Sequence, residues 1–400
     1  MRIFFITSKL NFKNAGGSVD EMDLMMRMLK GYGNDMTAVT VFSYNNDIDR
    51  QLPYRVVEEN ILSRRLLGIQ WNAFKILRKY SNQADAFQID GHLFLYAAGL
   101  YRLLGGKVPT LLFFNREQTA WPLNVSTLFG TQKESLFKKI KRNTRYHIEK
   151  YLMIPIVQYA DFYTFTSRFL QKAYEDFGLK TEGKSWIWSD PYDLDATFKK
   201  NNLTEDFYQK HNKKTGPITL FYSSRMAPGK GFDLLTLAFS KVKNKDNFRL
   251  ILGGTGPEDH LVKKMVKDLN LEKYVEFPGW VSREDLHQAL KKADIFIQAR
   301  WRQDMTSLSL TEAMAFGLPS IVPGGGGLEF VAGKSALCFE LDNPDDLALK
   351  IEQLGSDPNL RAELSRQCFV RLHEEDMDYK KTVPHLHQIL KKLAGRQIIS

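Results

Sequence analysis

Short runs of β-branched and aromatic residues alternate along this chain with stretches of 3.6-residue apolar period, and the cycle restarts halfway. RIFFITS (2–8) reads as a strand, VDEMDLMMRMLKGYG (19–33) as an amphipathic helix and MTAVTVFS (36–43) as the next strand. ADAFQIDG (84–91), HLFLYAAGLYRLLGG (92–106) and VPTLLFFN (108–115) repeat strand, helix, strand, and DFYTFTS (161–167) leads into the helical RFLQKAYEDFG. The pattern begins again with PITLFYSSR (217–225), then FRLILGG (248–254), VEFPGW (275–280), DIFIQAR (294–300) and SIVPG, each separated by a helical stretch. Strands joined through helices pair in parallel, and a parallel sheet needs both faces covered. The predicted class is therefore α/β with two Rossmann-like domains. Four hundred residues suit two domains of about 200 each. The expected division is a first domain over 1–190, a linker with a lead-in helix over 191–216, and a second domain over 217–379. A last helix at about 380–400 is expected to pack back onto the first.

Composition removes several classes. Cys338 and Cys368 are the only cysteines and have no C-x-x-C spacing, which argues against a disulfide framework or a zinc site. MRIFFITSKL holds a four-residue apolar run, short for a secretory segment, and no 18-residue apolar run occurs anywhere. A cytoplasmic protein is expected, peripheral at the inner face of a membrane. Net charge is +10, and residues 1–200 carry +8 of it. The excess is sharpest in KESLFKKIKRNTRYHIEK (133–150), where Leu136, Ile140, Ile148 and Leu152 recur near helical spacing among Lys and Arg. That segment reads either as a solvated helix face or as a helix lying on an anionic membrane surface. Nucleic acid is not expected, because no recognised binding motif accompanies the charge.

In open α/β sheets, ligands bind beyond the carboxyl ends of the strands. Three glycine-bearing turns fall there. NAGGSVDE places Gly16 and Gly17 before a helix, where the backbone can approach a phosphate. GGTGPE (253–258) carries Gly254 and Gly256 but does not complete a dinucleotide fingerprint. SSRMAPGKGFDLL (223–235) sets Arg225 at a strand end and Lys230 between two glycines that open a helix. Two fixed cations and helix N–H groups suit a diphosphate. Further on, Asp304 and Glu312 lie eight residues apart, and Glu312 is embedded in the apolar helix TEAMAFG. It reads either as part of a capping box with Ser309 or as a ligand-binding acid. The D-x-D pairs at 193–195 and 376–378 read as solvated rather than metal-binding.

The ordered series of Arg225 and Lys230, GGTGPE, VEFPGWV (275–281), ADIFIQ (293–298), the two acids, TEAMAFGLPSIV and GGGGLEFV resembles the retaining GT-B glycosyltransferases of family 4, the glycosyl transferases group 1. The likeness is specific over about 217–332 and looser over the rest. It implies two facing Rossmann-like domains with a cleft between them. It also implies that Arg225 and Lys230 grip the donor diphosphate, that Glu312 binds the nucleotide ribose, and that Asp304 holds a hydroxyl of the transferred sugar. Backbone N–H groups of the turn formed by Met305, Thr306, Ser307 and Leu308 would lie against sugar and phosphate, and Gly16 and Gly17 would close over the diphosphate.

Two departures from the family pattern touch the sugar pocket: the first acid is Asp304 rather than Glu, and the turn after it is MTSL rather than G-F-G-L. Where the family often has a histidine, LLFFNREQ holds Asn115, followed by Arg116 and Glu117. His92 is the nearby imidazole, read as a helix-start residue or as an acceptor-side group. The resemblance implies transfer from a UDP- or GDP-sugar to a glycan or lipid-linked acceptor hydroxyl, with retention and with neither metal nor cofactor. The expected setting is bacterial surface glycan or lipopolysaccharide assembly. A non-catalytic nucleotide-sugar binder or scaffold, a GT-B epimerase and a phosphorylase remain as alternatives, and an oxidoreductase is the weakest.

Overall fold

The computed structural model describes residues 1–13, 17–116, 128–129, 136–210, 217–299 and 306–395. They divide into two compact units: 1–122 with 136–192 and 375–400, and 123–135 with 193–374.

The first unit holds a seven-stranded parallel sheet. Its strands are β1 (Arg2–Thr7), β2 (Asp35–Thr40), β3 (Arg55–Glu58), β4 (Ala86–Asp90), β5 (Thr110–Phe114), β6 (Phe162–Phe165) and β7 (Ser185–Ile187). Their spatial order is β3-β2-β1-β4-β5-β6-β7. The run RIFFIT shows why the sheet is buried on both sides. Alternate side chains of a strand face opposite ways. Phe4 and Ile6 enter one core with Phe74 and Leu77 of helix Leu66–Tyr80 and Leu95 of helix Gly91–Leu103. Ile3 and Phe5 enter the other with Met25 of helix Gly17–Gly31 and with Val383, Leu386 and Leu390 of helix Tyr379–Gly395. The end of the chain thus completes the first unit's second face, and Ser189 N donates to Asp376 O at 2.7 Å where it re-enters.

The second unit repeats the plan with β8 (Ile218–Ser223), β9 (Phe248–Gly253), β10 (Val275–Gly279), β11 (Ile295–Ile297), β12 (Ser320–Pro323) and β13 (Ala336–Phe339), in the order β10-β9-β8-β11-β12-β13. Both sheets are parallel throughout. The stretch read as linker plus lead-in helix forms two helices, Leu194–Asn201 and Glu205–Lys210, that belong to this unit. Tyr208 is buried there and donates its hydroxyl to Ala315 O at 2.6 Å. Asp193 and Asp378 of the two D-x-D pairs accept from the backbone of Ala196 and Lys380, so both shape local turns.

In each unit the strand order reverses once, between β1 and β4 and between β8 and β11. A doubly wound sheet opens a crevice at that point, beyond the carboxyl ends of the two strands.

Candidate active site

In the second unit the reversal point gathers what the motifs pointed to. β8 ends at Ser223, and the next residues form a loop that carries exposed Arg225 and half-buried Lys230 to helix Phe232–Lys241. The loop is held at several places. Buried Tyr222 donates to Lys230 O at 2.8 Å. Ser224 N donates to Gly253 O, Met226 N to Thr255 O and Glu258 N to Met226 O, at 3.2, 2.9 and 3.0 Å. These bonds lay the Arg225 loop flat on the GGTGPE turn, which explains the turn's glycines. A Cβ at Gly254, whose φ is +110°, would sit 1.9 Å from Ser224 O, and one at Gly256 would sit 2.3 Å from Met226 O. Both glycines therefore admit the backbone that carries the two cations.

Across the reversal point, β11 runs out to buried Gln298 and Ala299. Arg300 to Met305, and with them Asp304, lie outside the described residues. Thr306 is buried, Ser307 is the N-cap of helix Leu308–Ala315, and Leu310 N and Thr311 N donate to Ser307 O. This excludes the capping-box reading of Glu312. A capping box needs its acid three residues after the cap. With the cap at Ser307, Ser309 lies inside the helix and Glu312 is five residues on, too far along to serve one. Glu312 is instead a buried carboxylate, 8% exposed, in the helix that follows β11.

Sequence reading missed its neighbour. His287, on helix Arg283–Lys292, is 5% exposed and places Nε2 3.8 Å from Glu312 Oε1. Its Nδ1 lies 3.2 Å from Asn201 Nδ2. An amide nitrogen only donates, so Nδ1 accepts and the ring proton sits on Nε2, facing Glu312. Nε2 has no hydrogen-bond partner among the described residues, nor has Gln298 Oε1 at the end of β11. Residues 201, 287 and 312 are too far apart in sequence for any motif to link them.

In the first unit, Thr7 at the end of β1 donates to Asp90 at the end of β4, 3.0 Å away. His92 Nδ1 lies 3.7 Å from the other oxygen of Asp90. Burial pushes the His92 imidazole below its usual pKa, Asp90 opposes this, and Arg116 adds to it. Asn115 follows β5 with a buried Oδ1 that has no partner among the described residues. Arg116 is exposed, and its carbonyl accepts from the Tyr174 hydroxyl at 3.0 Å. Glu117 and Gly16 lie outside the described residues, while Gly17 begins helix Gly17–Gly31.

Two carboxyls that no motif announced complete this group, Glu21 and Asp190, 4% and 7% exposed. Burial holds the Glu21 carboxyl well above the usual carboxylate range. The charge of Asp190, a hydrogen bond with it, and the charge of Asp90 raise it further, against Arg116. The reversal point of the first unit gathers carboxyls, whereas the Arg225 loop of the second presents cations.

Residues 204–368 match the family model described as glycosyl transferases group 1. The second unit is a group 1 glycosyl transferase domain. A curated relative, the mannosylfructose-phosphate synthase of Agrobacterium fabrum, is 30% identical over 203 residues, 48% of this chain and 44% of its own. The chain thus spans less than half the length of that relative. Two solved structures extend the comparison beyond the group 1 domain. Sucrose-phosphate synthase from Thermosynechococcus elongatus superposes with a TM-score of 0.74 over 99% of both chains at 18% identity. Anabaena HepE in complex with UDP gives 0.70 over 98% of this chain and 100% of its own, at 15% identity. The chain has the GT-B fold, as the sequence motifs implied.

Proposed function

We propose that this chain transfers a sugar from a UDP- or GDP-sugar to an acceptor hydroxyl, with retention of anomeric configuration and without a metal. The observation that carries the reading is the Arg225–Lys230 loop, fixed by its bonds to the GGTGPE turn at the reversal point of the group 1 domain. As the bond from sugar to phosphate breaks, negative charge grows on the leaving diphosphate. Arg225, Lys230 and the N–H groups opening helix Phe232–Lys241 are positioned to stabilise it. A structural neighbour solved in complex with UDP supports a nucleotide ligand.

In this reading Glu312 accepts hydrogen bonds from the ribose hydroxyls, with His287 Nε2 3.8 Å from its carboxylate. Asp304 holds a hydroxyl of the sugar, and the backbone from Met305 to Leu308 meets sugar and phosphate. Asp90, His92, Asn115 and Arg116 serve the acceptor side. The departing phosphate takes the acceptor's proton, so no side chain needs to act as nucleophile. Surface glycan or lipopolysaccharide assembly is the proposed setting.

Thermal-shift and turnover measurements with UDP, GDP, ADP and their common sugar conjugates test this, on wild type, Glu312→Ala and Arg225→Ala. One nucleotide is expected to stabilise the wild type, by about 2.7 kcal/mol at 100 times its dissociation constant. Glu312→Ala is expected to lose at least about tenfold in nucleotide affinity, since it deletes hydrogen bonds to a charged group. Arg225→Ala is expected to lose roughly two to three decades in turnover. No stabilisation by any nucleotide would refute the reading, and binding without turnover of any sugar conjugate would leave a non-catalytic binder.

A further inference from the structure

Away from both reversal points, the first unit carries an apolar groove of about 440 Å³. One wall is the start of helix Leu66–Tyr80 and the other is helix Leu136–Ile148 with the turn after it; Leu66, Leu67, Phe137, Ile140, Ile148 and Met153 line it. Leu66 and Met153 pack against the first unit's core, but core burial does not account for the others. Leu67 is 70% exposed, Phe137 77% and Ile140 56%, and Leu62, Leu136 and Leu152 beside them are similarly exposed. Single exposed apolar residues need no explanation, but a contiguous patch marks an interaction surface.

The patch is rigidly mounted. Glu149 is fully buried and accepts from the Tyr96 hydroxyl at 2.7 Å and from Arg145, while Ile154 and Val157 just beyond it enter the core. The cationic helix is thereby fixed to the unit, with Phe137 and Ile140 pointing outward.

Charge identifies the occupant. Helix Leu136–Ile148 contains no acid, and its cations include exposed Lys139 and Lys141. The facing segment is equally one-sided: residues 60–84 hold no Asp or Glu, and exposed Arg64 and Arg65 stand immediately before Leu66 and Leu67. Both walls thus present an apolar tip flanked by cations. A second copy of the chain would bring cations against cations in an isologous contact. An anionic bilayer meets both demands, with phosphates for the rim and hydrocarbon for the centre. We propose that this face of the first unit docks on an anionic phospholipid bilayer. Leu67, Phe137 and Ile140 enter the acyl boundary, an acyl segment lies in the groove, and Arg64, Arg65, Lys139 and Lys141 meet the headgroup phosphates.

Vesicle flotation of the full chain tests this without reference to donor binding, using phosphatidylcholine vesicles with and without about 30 mol% phosphatidylglycerol. The wild type is expected to float with the anionic vesicles only, and less at about 0.5 M salt than at about 0.1 M. The neutral variants Leu67→Asn and Phe137→Asn keep every charge yet are expected to lose roughly tenfold in partitioning each. The double reversal Lys139→Glu/Lys141→Glu is expected to lose at least roughly tenfold, and less so at high salt. All of these positions are exposed, so unchanged melting temperatures verify folding. Failure of the wild type to float, or neutral variants that float like it, would overturn the proposal. So would light scattering that shows Phe137→Asn dissolving a dimer in the absence of vesicles, which would assign the face to a second copy.

Discussion

Glu21 and His92 are titratable groups on the helices that follow β1 and β4, yet they bias stability in opposite directions. The folded state holds Glu21 protonated above its usual value near 4.5. It therefore binds more protons than the unfolded chain from about 4.5 upward, and its contribution is lost as pH rises through that window. His92 is held below its usual 6.5, so its contribution is present above 6.5 and lost as pH falls toward the folded value. Glu21→Gln keeps a hydrogen-bonding side chain without the titration. Its melting temperature relative to wild type is expected to rise as pH increases from about 4.5, whereas a constant offset across pH would contradict a proton held on Glu21. Sequence pattern identified His92 and Asn115 because they follow strands. It missed Glu21 and Asp190, since an acid early in a helix and one before a proline look like ordinary surface residues until folding buries them together.

At the scale of elements, the loop and turn around Arg225 act as one piece. The spacing of Arg225, Lys230 and the glycines was legible, and so was the helix that follows, because a strand end, glycines and an apolar period are local signals. The reason for Gly254 and Gly256 was not. Sequence showed only a glycine turn short of a dinucleotide fingerprint, whereas the structure shows the glycines making room for Ser224 and Met226 of the neighbouring loop. Gly254→Ala combines a positive φ with a Cβ against a carbonyl oxygen, and is expected to cost about 2 kcal/mol or more. It is also expected to weaken nucleotide binding in the thermal-shift assay by displacing Arg225, although residue 254 need not touch the ligand. A variant with wild-type stability and affinity would dissociate the turn from the loop. Helix Leu308–Ala315 makes a related point. S-x-x-E suggested a capping box, but the helix has its cap at Ser307, which leaves Glu312 outside one.

The molecule is built of two units, each with its own sheet, and near 374–375 the chain returns from the second to the first. That return puts Leu386 beneath the first sheet with Ile3 and Phe5. Leu386→Ala removes a fully buried side chain and is expected to cost about 2–5 kcal/mol. Because separate cores melt separately unless tightly coupled, calorimetry is expected to show this variant lowering one transition while nucleotide raises another. A single transition shifted by both would contradict it. The sequence by itself determined the α/β class, the twofold repetition and the group 1 motifs, because periodicity and strand-end glycines are local and each strand's apolar run records burial on both faces. It did not reveal the short strands β3, β7 and β13 or the basic helix Leu66–Tyr80, whose signals are brief or lack an acid-apolar contrast. Only the tertiary structure decided that Glu312 meets His287, that Glu21 shares a site with Asp190 and Asp90, and that two cationic, apolar-tipped segments about 70 residues apart form one groove. Those are contacts between distant parts of the chain, and their free energy comes from surfaces that exist only once the sheets have assembled.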